Sequence, residues 1–262
     1  MRIVSVRLRS LVAAFAIACV AFATSVPAAD LSQVAPVDLF QVSTIAALSA
    51  GLYQGEMRLA DVARHGDFGL GTLDGLDGEM IVLDGVFYHA KSDGTVLVAP
   101  DAAKTPFAQV VFFQGNLDFG PVDGLDLAGL KAALTAQLPD PSRFYAARVE
   151  GTFASLTARS APAPKKPWPP LAEALKTQSL FPMTQVAGTM IGIYSPASVP
   201  GLAPAGWHFH FLSADRRHGG HVLKAQVAKA VAKGDIVKVL TVSYPDEALP
   251  RRGTAPLPAG AE

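Results

Sequence analysis

The chain has 262 residues, half of them apolar, with 23 Gly and 20 Pro and with 22 basic side chains balanced by 22 acidic ones. That length and apolar content suit a globular protein with a sizeable core, in one large domain or two small ones. The balanced charge lacks the basic footprint that phosphate neutralisation requires, which excludes nucleic acid as a partner.

Arg2, Arg7 and Arg9 precede the apolar run LVAAFAIACVAFA and then TSVPAAD, the layout of a secretory signal peptide. The run is short for a bilayer span, which needs about 20 residues. Residues 1–29 are therefore read as a leader removed after Ala28 or Ala29, and the protein as exported, periplasmic or secreted, with no membrane attachment afterwards. The only cysteine, Cys19, lies inside the leader, so the mature chain has no thiol, no disulfide and no metal site built on cysteine. Removing the three leader arginines leaves 22 − 3 = 19 basic against 22 acidic residues, a charge of about −3.

STIAALSAGLY (43–53) reads as a short helix that Ser43 or Thr44 can cap and Gly51 can end, and RLADVAR reads as a second. From Gly66 the signal changes to Asp-Gly pairs at 74–75, 77–78, 84–85 and 93–94, separated by EMIVL, VFYHA and TVLVA, which suits a meander of tight hairpins. VVFFQGNLDF (110–119) predicts a strand and its turn, and LDLAGLKAALTAQL (125–138) carries helical spacing. RFYAARVEGTFASLTARS (143–160) reads as strand, tight turn at Gly151, strand. The prolines of APAPKKPWPP (161–170) lack the backbone donor that helix or central strand needs, so this segment is taken as a connection between two sheet-bearing parts, residues 30–160 and 171–262. After it come a helix at LAEALKTQ, a strand at QVAGTMIGIYS, a histidine-rich hairpin and a last strand near DIVKVLTVSY, with a Pro-rich tail. The expected fold class is α+β, mostly antiparallel or mixed sheet with a few short helices.

WHFHFLSADRRHGGHVL (207–223) holds four of the six histidines. In a strand His208 and His210 share one face, about 6.6 Å apart, while Trp207 and Phe209 point to the other. SADRRHGG forms the turn, and His221 opens the returning strand beside the first pair. Three neutral nitrogens without thiolate fit a catalytic zinc, Zn2+, which keeps three protein ligands and an open position. The blander reading is a hairpin whose histidines are exposed or hydrogen-bonded in the core, and the third histidine beyond a Gly-rich turn favours metal. His218 reads as a solvated turn residue, His65 and Asp67 as loop-shaping hydrogen bonders, and His89 as an ordinary strand histidine.

HFHFLSADRRHGGHVL is similar to the zinc-binding segment of the acetolactate decarboxylase family, and RHGDFGLGTLDGLDGEMIVLDGVFYHAKSDG (64–94) resembles that family's other strong signature. The likeness runs from about residue 43 to about residue 243. It implies loss of the carboxylate of 2-acetolactate, a 2-hydroxy-3-keto acid, as carbon dioxide, yielding acetoin in a homodimer. It also implies zinc on His208, His210 and His221, Glu79 and Arg159 as active-site residues, and Thr72 lining the pocket. The family's second glutamate near the C-terminus has no clear counterpart here, whether Glu247, Glu262 or neither.

The chemistry asks for an electron sink, because losing carbon dioxide beside a ketone places two electrons on the carbonyl oxygen. Zinc acts there as Lewis acid. The planar fork of Arg159 suits the carboxylate of the substrate. Glu79 shares its strand face with Ile81 and Leu83, so its carboxyl tends towards a raised pKa and proton delivery. From local pattern alone, Arg159 reads as a surface arginine at a strand end and Glu79 as a solvated edge residue; only the family resemblance reverses this. An exported zinc-binding protein without catalysis and a zinc hydratase or hydrolase are the alternative functions.

Overall fold

The computed structural model describes residues 34–244. The leader with Cys19, and the tail with Glu247 and Glu262, lie outside the described residues. Among the described residues no helix is long and apolar enough to cross a membrane.

The first strand, β1 (Val37–Val42), leads into α1 (Ile45–Ser49), whose start is capped by the Thr44 hydroxyl accepting from the Ala47 amide at 3.1 Å. The short β2 (Met57–Arg58) and α2 (Leu59–Val62) precede β3 (Phe68–Thr72), β4 (Glu79–Leu83), β5 (Val86–Ala90) and β6 (Val96–Val98). Asp84 and Gly85 both take positive φ, 53° and 78°, as the two-residue turn between β4 and β5 demands. Asp74-Gly75 instead opens a single 3-10 turn, Asp74–Leu76. After β7 (Lys104–Thr105), β8 (Phe107–Val111) and β9 (Leu117–Pro121) comes α3 (Leu127–Ala136), capped by the Asp126 carboxylate accepting from the Gly129 amide at 2.7 Å. The rest is β10 (Tyr145–Ser160), α4 (Leu171–Ala174), β11 (Ser179–Ser195), β12 (Gly206–Ser213) and β13 (Gly219–Ser243).

Apart from β2 and β7, which pair as a separate two-stranded sheet, the strands build one large mixed sheet, in keeping with the expected fold class. One region runs β1-β8-β3-β4-β5-β6, joined to the rest by the parallel pairing of β1 with β13. In the other, β10 pairs with β11, β11 with β12, β12 with β13, and β13 returns to β10, so the hydrogen bonds close a ring. The closing contact is short: His210 opposite His221, Phe211 opposite Gly220, Leu212 opposite Gly219.

Inside the ring lie Phe153, Phe209, Phe211, Tyr145 and Trp207, covered by Leu130 and Leu134 of α3. Fully burying a side chain of this kind contributes about 1.5–3 kcal/mol. A second core, with Phe68, Leu70 and Ile81 against Ile191, Ile193 and Leu212, packs the two regions together. Asp235 fastens the join: wholly buried, its carboxylate accepts the amides of Gln114, Gly115 and Asn116 at 2.8, 3.0 and 2.9 Å.

Three expectations are corrected. Residues 143–160 are not strand, turn, strand but the single strand β10, which runs through Gly151. Gly151 lies opposite Gly188 and Ala230, and a Cβ there would strike the Lys229 carbonyl and Ala230, so close approach of β13, not turning, calls for glycine. Likewise residues 235–244 hold no separate last strand, because β13 continues unbroken from the histidine hairpin. Finally, the Pro-rich segment 161–170 joins β10 to β11, which pair with each other along almost their whole length, so sheet hydrogen bonds run across the 30–160 and 171–262 division. Prolines there break the strand without breaking the sheet.

Gly151→Val will lower stability by about 1–3 kcal/mol through overpacking against the β13 backbone, read as a lower midpoint of urea unfolding. An unchanged midpoint would show that the β13 backbone does not crowd residue 151.

Candidate metal centre and its pocket

Alternation along β12 sends Trp207 and Phe209 into the ring core, stacked with centroids 5.6 Å apart, and leaves His208 and His210 on the opposite face. The turn that follows is tied by Ser213, whose hydroxyl donates to Asp215 at 2.6 Å and accepts the His218 amide at 2.9 Å. It delivers His221 opposite His210. One candidate nitrogen from each of the three rings falls within 4.8 Å of the others. His208 Nε2 and His221 Nδ1 stand 2.8 Å apart.

The backbone sets the tautomer of one ring. His210 Nδ1 donates to the Met80 carbonyl at 2.9 Å, which leaves the lone pair on Nε2. His210 Nε2, His208 Nδ1 and His221 Nε2 are buried and have no hydrogen-bond partner. Burial pushes His210 down to about 3, and the charge of Arg159 adds to it. His208 and His221 are held well below the usual histidine range, first by burial and then by neighbouring positive groups, Arg159 among them. All three imidazoles are thus neutral near pH 7, the form that binds a metal.

Across the cavity stands a buried ion pair. Arg159, next to the end of β10 and opposite His221, donates from Nη1 to Glu79 Oε1 at 2.8 Å. Glu79 opens β4, and its Oε2 lies 3.5 Å from His210 Nε2. Burial raises the Glu79 pKa and outweighs the opposing pull of the Arg159 charge. Neither residue is the solvated edge group that local pattern also allowed, since they are only 7% and 9% exposed. Thr72, at the end of β3, is buried and donates from Oγ1 to the Gly78 carbonyl at 2.6 Å.

These six side chains line one cavity of about 40 Å³. Its remaining wall is apolar: Ile45 and Leu48 from α1, Leu171 from α4, and Leu76, Phe107 and Leu175. Sequence reasoning missed that wall. The Thr44 cap predicted α1, but nothing local says which way a five-residue helix turns its leucine.

The other singled-out residues stand apart from the cavity. His218 is exposed in the turn. His65 stacks on Phe40 with centroids 3.9 Å apart, and Asp67 accepts the Phe113 amide at 2.9 Å. His89 lies 3.7 Å from the Asp77 carboxylate. Among the described residues, the centre offers one nitrogen from each of three neutral imidazoles and no thiolate, with His210 Nε2 buried and unpartnered, and such a donor set fits a divalent cation that keeps a free position.

Residues 39–249 match the family Alpha-acetolactate decarboxylase. The chain is 40% identical over 216 residues to the alpha-acetolactate decarboxylase of Methanosarcina mazei, covering 82% of this chain and 75% of that protein. It is also 40% identical to that of Methylococcus capsulatus, covering 80% of each. The crystal structure of alpha-acetolactate decarboxylase from Bacillus subtilis strain 168 superposes with a TM-score of 0.78 at 33% identity, over 80% of this chain and 90% of that one.

The buried imidazoles also set a pH dependence. In the metal-free protein the His210 pKa is depressed to about 3 while the unfolded chain titrates near 6.5. Stability is therefore fully present above pH 6.5 and is lost as pH falls below it, by about 1.4 kcal/mol per unit for each such histidine. Urea unfolding of metal-free protein between pH 7 and pH 5 will show this slope, and His210→Gln will reduce it by the share of one histidine, leaving those of His208 and His221.

Proposed function

Because the chain belongs to the alpha-acetolactate decarboxylase family, and so is a carboxy-lyase of acetolactate, we propose that it releases carbon dioxide and acetoin from 2-acetolactate with zinc on His208, His210 and His221. The observation that carries this reading is the convergence of three neutral, buried imidazoles, one nitrogen of each within 4.8 Å of the others, on the cavity that holds the Glu79–Arg159 pair. When bound, zinc supplies a Lewis acid for the charge that develops on the ketone oxygen, worth several kcal/mol in the transition state.

The chain's own residues do the rest. Arg159 receives the substrate carboxylate on its guanidinium and sets the direction of the bond that breaks. Glu79 competes for the same guanidinium while ionised, and protonation, which burial favours, releases Arg159 to the substrate. The protonated carboxyl then hands its proton to the carbon that has lost carbon dioxide, and Glu79 recovers a proton from solvent once acetoin leaves. The Thr72 hydroxyl gives its hydrogen to Gly78, so its oxygen is oriented to accept from a substrate hydroxyl. Ile45, Leu48 and Leu171 cover the methyl groups and keep water from the developing charge.

The reading of residues 1–29 as an export leader rests on their residue pattern, and the homodimer on the family resemblance.

Acetoin formation by the purified mature chain, with and without a chelator, tests the proposal. His210→Ala will lose zinc and turnover together, whereas Glu79→Gln will retain zinc and lose about 100- to 10,000-fold in kcat. Full turnover by zinc-free protein would overturn the mechanism.

A further inference from the structure

We propose that His89, acting with Asp77, is a positioning residue that fixes the turn from which Glu79 enters the pocket; this rests on the reading of Glu79 as proton donor. His89 stands on β5 directly opposite Met80, the residue whose carbonyl orients His210. Its ring edge lies over the backbone of Gly78. Gly78 has a φ of +74°, and a Cβ there would come within 2.9 Å of His89 Nε2, so the imidazole rests on bare peptide. His89 Nε2 is buried without a hydrogen-bond partner, and the Asp77 carboxylate faces it at 3.7 Å. Lys91 and Asp93 are the other charged groups that act on the ring.

Residue 78 is held from two further sides. Its amide donates to the Ala161 carbonyl at 3.0 Å, and its carbonyl accepts from Thr72 at 2.6 Å. One residue on, Glu79 has to reach Arg159 with one oxygen and face His210 with the other. A carboxyl with two such constraints depends on where its Cα sits, and a misplacement of about 1 Å costs about a hundredfold in rate. A ring that merely filled space would need no nitrogen at that position. On the third side the ring packs on the Gly78 peptide with its buried Nε2 facing the Asp77 carboxylate at 3.7 Å, outside direct hydrogen-bond reach, so the hold there is contact with the peptide plus the attraction between the ring's polar edge and that carboxylate.

The test compares His89→Phe, which keeps a ring but loses both nitrogens, with His89→Asn, which keeps a donor. His89→Phe will bind zinc as the parent does, keep KM within about twofold and lose about ten- to hundredfold in kcat, while His89→Asn recovers most of that loss. Asp77→Ala will reproduce the defect, and His89→Phe with Asp77→Ala will be no worse than either alone. Parent-like kcat in His89→Phe, losses that add, or a loss explained by zinc content overturns the inference. Amide hydrogen exchange at Gly78 reads the turn directly and does not depend on turnover. It will accelerate in Asp77→Ala and His89→Phe and stay slow in His89→Asn; unchanged exchange in the first two overturns the inference even if acetolactate proves not to be the substrate.

Discussion

The constraint on which the rest depends is the removal of three imidazoles from water with one nitrogen of each left buried and without a hydrogen-bond partner. Burying such groups unsatisfied is costly, about 1–3 kcal/mol each, and the fold sustains it at the point where the β10–β13 ring closes. There His210 and His221 face each other across a contact of only three residue pairs. A longer ladder would have brought more side chains to that face. The aromatic core inside the ring and the Met80 carbonyl outside it hold the three rings where they converge. The same burial that keeps the histidines neutral raises the pKa of Glu79, so one physical cause prepares both a metal-binding set and a carboxyl able to carry a proton.

Arg159 is the counterweight. Its charge adds to burial, the larger cause, in keeping the histidines deprotonated, and its hydrogen bond to Glu79 partly offsets the cost of that buried carboxyl. Removing one partner of a buried pair leaves the other stranded, so the two are coupled in stability as well as in chemistry. The apolar wall of α1 and α4 strengthens every one of these interactions by excluding water.

Much of this was legible in the sequence. The Thr44 cap, the Asp84-Gly85 turn and the placing of His208, His210 and His221 follow from spacing and turn chemistry, all local rules. What was not legible depends on distant parts of the chain. Gly151 looked like a turn because nothing nearby reveals that Ala230 passes beneath it. The pairing of Glu79 with Arg159 spans 80 residues: the family resemblance named each as an active-site residue, but nothing in the sequence joined them. Met80 escaped notice because its contribution is a carbonyl, and a carbonyl leaves no trace in residue identity.

β13 belongs to both regions of the sheet. Its first residues bring His221 to the centre, and its last ones lie alongside β1, pairing Val37 with Val237 and Val42 with Ser243. β1, made some two hundred positions earlier and paired with β8 on its other side, must therefore wait with one edge open until this ribbon is available. Pairing of that sequence separation is slow to form. The β1 edge is consequently completed only by the last strand, and a nascent chain interrupted before β13 has neither a finished β1 edge nor a third imidazole with which to sequester an ion.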